Sequence, residues 1–68
     1  MPRFGGYDLL GVVRGVAVPG DPQVWLVAQQ RLFLFQTRAT RDAFAAAPDR
    51  LLAAAQEKWP EVAQTLVP

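Results

Sequence analysis

The chain has no cysteine and no histidine. Disulfides are therefore excluded, and so is zinc, haem or iron–sulfur ligation by these residues. Serine is missing too, which removes the commonest hydroxyl nucleophile, and no nucleophile–base constellation can be assembled from what remains. The six acidic residues, Asp8, Asp21, Asp42, Asp49, Glu57 and Glu61, are scattered, whereas a hard-cation site needs clustered oxygens. Asp42 and Asp49 are a conceivable carboxylate pair, but they fall on successive surface segments and read as groups that cap or solvate helices. The stretch GVVRGVAVPG lacks the spacing and the lysine of a phosphate loop. The chain is read as non-catalytic and free of cofactors.

Charge is equally sparse. Seven basic against six acidic residues leave a net +1, with no run of either sign. A nucleic-acid binder shows a basic stripe. Here Arg38 and Arg41 are followed at once by Asp42 and read as a solvated helix face, so no nucleic-acid partner is expected. The start, MPRFGGYDLL, lacks the apolar stretch of a signal peptide, which favours a cytoplasmic location. Nothing approaches the ~20 apolar residues of a membrane span.

What is present fits one small domain. A chain of 68 residues is short enough that folding buries only about 60% of the unfolded surface. Domains of this size lean on disulfides, a metal or association. With the first two gone, self-association or docking to a protein partner is the support left.

Residues 1–6, with Pro2, Gly5 and Gly6, read as an exposed lead-in. Leu9, Leu10, Val12 and Val13 suggest a short strand, with Gly11 and Gly15 as bends and Val16 and Val18 continuing it. PGDP at 19–22 is a loop. QVWLVAQQRLFLFQ reads as a β-hairpin, with strands at 24–28 and 32–35 and a turn near Gln29 and Gln30. Neither glutamine favours positive φ, which leaves a longer or bulged turn open and the register unfixed. By the period-two rule Trp25 and Val27 share one face of their strand, opposite Val24, Leu26 and Ala28. On the other strand Phe33 and Phe35 oppose Leu32 and Leu34. Both faces are apolar, which normally means a sheet covered on both sides. Two arrangements fit. In one, C-terminal helices cover one face and the N-terminal segment part of the other. In the other, an apolar strip stays open for a partner, with Trp25, Val27, Phe33 and Phe35 as candidate contacts.

A helix follows, with Thr37 as N-cap and Thr40 as a competitor, and Phe44 as its buried anchor. Pro48 ends it and suits the first position of the next helix, with Asp49 near that helix's positive end. Leu52, Ala55, Trp59, Val62 and Leu66 recur at spacings of three and four, an amphipathic stripe with Trp59 read as a core plug. Pro60 is expected to kink this helix or to start a separate one. The expected fold is thus α+β: a short N-terminal strand and a β-hairpin packed on two or three C-terminal helices.

The order GYDLL, then GDPQVWLVAQQRLFLFQTRATRDAFAAAPDRLL, resembles the YHS domain, a small treble-clef-like, TRASH-related fold. Tyr7–Asp8 at the start, a hairpin ending in an aromatic run, a helix carrying RDAF and a small residue before Pro48 carry the resemblance. It covers about residues 6–52, and the tail AAAQEKWPEVAQTL looks like the helical extension, 53–67, that follows some such domains. The resemblance implies metal-binding cysteines at the positions held here by Leu10, Gln36 and Thr40. None of these can hold a soft metal, so the chain is expected to be a metal-free variant, with Leu10 in the core, Thr40 a potential helix cap and Gln36 hydrogen-bonding across the site. Two functions follow. The favoured one is a protein-interaction or assembly module that docks through the aromatic hairpin. The other is an apolar-ligand binder with a pocket between hairpin and helices, whose polar groups would be Tyr7, Gln36 and Arg38.

Overall fold

A computed structural model of the chain describes residues 2–67. The fold is α+β. A 3-10 turn at Arg3–Gly6 leads into helix α1 (Leu9–Val13). Strands β1 (Asp21–Ala28) and β2 (Arg31–Phe35) form an antiparallel hairpin, and helices α2 (Arg38–Ala46) and α3 (Pro48–Gln64) follow. No helix among the described residues is long and apolar enough to cross a membrane.

The N-terminal strand expected from the valines is instead a helix. Asp8 caps it: its Oδ1 accepts from the Leu10 and Gly11 amides at 2.7 and 3.2 Å. With the cap in place, Leu9 and Val12 fall one turn apart and both are buried. Burial of that face outweighs the β preference of Val12 and Val13. What remains of a strand here is an antiparallel bridge between Tyr7 and Pro19, extended by the Gly20 amide on the Gly6 carbonyl at 2.9 Å. Gly20 is required there, because a Cβ would stand 2.6 Å from the Gly6 oxygen and 2.7 Å from Leu34 Cβ.

The hairpin turns through Gln29 and Gln30 alone. Both take positive φ, 53° and 63°, the mark of a type I′ turn. The longer or bulged turn that their side chains left open does not form, because strand register is set by the apolar pairs behind it. Leu26 pairs with Phe33, and a slip of one residue would turn Phe33 and Phe35 to solvent. The bulge sits at the far end, where Asp21 pairs with Phe35 and Trp25 with Leu34, leaving residues 22–24 without partners.

Thr37 caps α2 in a capping box with Thr40, and Pro48 opens α3 at its first turn. Pro60 neither ends α3 nor starts another helix; α3 runs on to Gln64. Pro60 and Gln56, four residues earlier, are both exposed, so water can satisfy the carbonyl that loses its donor. Leu66 lies past the end of α3 and is 41% exposed, so it is not part of the buried stripe.

One core joins these elements. Phe44 is fully buried, with ring centroids 5.2 Å from Phe33 and 5.5 Å from Phe35. Leu9, Val12, Leu52, Ala55 and Val62 complete it, so residues beyond 52 belong to the same core as the hairpin. Phe4 closes its edge against Trp59, which is half-buried rather than enclosed.

Candidate functional site

The register sorts the hairpin's side chains into two faces. Trp25 lies opposite Leu34 and Val27 opposite Leu32, and these four point away from the helices. Leu26, Phe33 and Phe35 point toward α2 and α3. Trp25 and Val27 are 55% and 57% exposed, while Phe33 and Phe35 are buried to within 1%. The four candidate contacts are thus split. Trp25 and Val27 stand on the open face. Phe33 and Phe35 are core residues that no partner can reach in the folded chain, because Phe44 packs against both.

The open face is a shallow groove of about 330 Å³ lined by Pro22, Trp25, Val27, Leu32 and Leu34. The indole N–H of Trp25 is the one side-chain polar group in that set, so the groove offers dispersion and apolar area rather than directed polar recognition. Pro22, carried outward by the bulge, walls one end. Gly6 and Gly20 close on Leu34 from the N-terminal segment, which therefore covers part of this face and leaves Trp25 and Val27 open.

Tyr7, Gln36 and Arg38 do not converge on a cavity. Tyr7 is half-buried against the core, Gln36 and Arg38 are exposed at the β2–α2 junction, and none lines the groove. The space between hairpin and helices, which an apolar-ligand binder needs as its pocket, is filled by Phe33, Phe35 and Phe44.

A second constellation is polar and buried. Asp8 is 2% exposed. Besides capping α1, its Oδ2 accepts from the Gln36 amide and from the Thr40 hydroxyl, each at 2.7 Å. Its own amide donates to the Val18 carbonyl at 2.7 Å. One side chain thus ties α1 to the β2–α2 junction, with four donors on its two oxygens. Gln36 acts through its backbone rather than its side chain. Scattered acidic residues gave no hint of this node, but an aspartate directly before an apolar run, as in DLLGVV, is an N-cap signal that could have revealed half of it. No three His, Cys, Asp or Glu residues lie together among the described residues.

Compared with family models, curated proteins and solved structures, the chain matches none.

Proposed function

We propose that the chain is a non-catalytic protein-interaction module, YHS-like in type, that docks through the outer face of its hairpin. The observation that carries this is the position of Trp25 and Val27. They sit side by side over Leu32 and Leu34, more than half exposed, while Phe33, Phe35 and Phe44 are buried. A solvated tryptophan on an apolar groove forgoes burial that is worth about 25 cal/mol per Å². A partner surface recovers that burial, and aromatic residues of this kind dominate interface energetics.

The YHS-like reading draws support from the Asp8 node. Leu10, Gln36 and Thr40 are the positions to which the resemblance assigns metal ligands, and each donates one hydrogen bond to the Asp8 carboxylate. Only the Thr40 bond comes from a side chain; at Leu10 and Gln36 the donor is the backbone amide, so the support is the nearness of the three positions to one carboxylate.

A photo-crosslinking residue placed at position 27 tests the docking reading in cells. Expected is a discrete crosslinked protein, lost when the same residue is moved to the exposed Gln56 position on α3. Equal, diffuse labelling from both positions, or none from either, would sink it.

A further inference from the structure

We infer that a second copy of the chain adds edge to edge along β1, beside this surface, and extends the outer groove rather than filling it. The inference rests on the reading of the hairpin as a docking surface and names its partner. A two-residue I′ turn makes Ala28 and Arg31 a hydrogen-bonded pair. Pairs alternate along an antiparallel ladder, so Leu26–Phe33 is hydrogen-bonded, while Val27–Leu32 and Trp25–Leu34 are not. The N–H and C=O groups of Trp25 and Val27 therefore point away from β2. Among the described residues, no backbone hydrogen bond outside the ladder reaches either of them. The turn-proximal part of this edge is also unguarded. Asp21, Pro22 and the bulge guard only its first part; residues 24–28, VWLVA, carry no charge, no proline and no bulge, devices that blunt a strand edge. Even the inward side chains of β1, Val24, Leu26 and Ala28, are only half-buried, whereas those of β2, Phe33 and Phe35, are buried.

The segment is self-complementary. Two copies of β1 set antiparallel about Leu26 place Trp25 of each opposite Val27 of the other. The outward backbone groups of these residues then exchange four N–H···O bonds. On the outer face this makes two aromatic–β-branched cross-strand pairs, a favourable combination. On the inner face Leu26 meets Leu26 of the second copy. The two hairpins become one four-stranded sheet whose outer grooves run together across the two-fold axis. A net charge of +1 offers little repulsion between copies. The contact is small, one short strand edge with two side-chain pairs on its outer face, short of the ~1,200 Å² that a stable complex buries. The dimer is accordingly weak and depends on concentration.

Sedimentation of the full chain from about 10 µM to about 2 mM brackets the affinity expected of so small a contact. Expected is a reversible rise toward twice the chain mass. Val27→Pro removes an outward N–H that the β2 ladder does not use, and should weaken association at least about tenfold. Val27→Thr keeps that N–H and should stay within about threefold, since each tenfold is 1.4 kcal/mol. Should the proline variant lose its fold, amide exchange in the unaltered chain gives the answer. The Trp25 and Val27 amides should exchange at least about tenfold more slowly at the top of the series than at the bottom. A dimer that tolerates Val27→Pro and leaves both amides unprotected would mean faces stacked without edge pairing, and would overturn the proposal. A strict monomer would overturn it as well. If the position-27 crosslinker then captures a different protein, the docking reading survives and only the second copy falls; if it captures nothing, both fall.

Discussion

Asp8 holds three chain segments with two oxygens, and among the described residues no other polar side chain in the core does comparable work. Oδ1 caps α1, and Oδ2 takes the Gln36 amide and the Thr40 hydroxyl. Asparagine is nearly isosteric but has one acceptor oxygen, so its NH2 group would face either the two α1 amides or the β2–α2 donors. Hydrogen bonds to a carboxylate are worth about 1.5–3 kcal/mol each, and a buried donor left without a partner costs about 1–3 kcal/mol more. Asp8→Asn should therefore lower unfolding free energy by about 2–4 kcal/mol in urea titration. Thr40→Val removes the hydroxyl from both Asp8 and the capping box and should cost about 1–2 kcal/mol, while Thr40→Ser should restore most of it. An Asp8→Asn chain as stable as the parent would show that the node contributes nothing net. Composition and spacing do not show the long-range half of this node, and only the resemblance sets positions 10, 36 and 40 around one site: residues 8, 36 and 40 meet only after the hairpin has brought the β2–α2 junction back to α1.

The elements differ in how far local rules decide them. The junction from α2 to α3 was readable because Thr37 and Pro48 act on their own first turns and need no distant partner. The position of the hairpin turn was readable from the apolar runs on either side. Its type was not, since Gln29 and Gln30 adopt positive φ only because strand pairing compels them. Helix α1 defeated the β-branched signal through a cap and a buried face. Two consequences follow for stability. Gln30→Gly relieves a left-handed residue and should add about 0.5–1 kcal/mol. Gln29 is the poorer target, because its amide donates to Asp49 at 2.9 Å. Pro60→Ala restores the donor missing from the middle of α3 and should add about 1–3 kcal/mol, a gain limited by the solvent access of the Gln56 carbonyl. Chemical denaturation of both variants checks the signs, and a loss in either case would mean that the present geometry relieves its own strain.

At the scale of the molecule, the hairpin is one sheet with two unlike faces, and a period-two reading could separate the faces without saying which was inward. By residue type alone Phe33 and Phe35 are as fit for contact as Trp25 and Val27, since all four are large and apolar. What distinguishes them is Phe44, which reaches the hairpin from α2 and packs on one face only. A core this small leaves a net stability of about 3–5 kcal/mol. Phe33→Ser removes a buried ring and places a hydroxyl among Phe4, Phe44 and Phe35, at about 3–5 kcal/mol or more, so the chain should be largely unfolded at room temperature. Trp25→Ser and Val27→Ser remove side chains that are already more than half in water. Each should cost under about 1 kcal/mol, mostly in β propensity, and leave near-native melting curves. The contrast is read by circular dichroism and thermal unfolding on dilute samples, where association contributes nothing. Comparable losses at positions 25 and 33 would mean that Trp25 supports the fold, and the open face would then lose its standing as a surface kept for a partner.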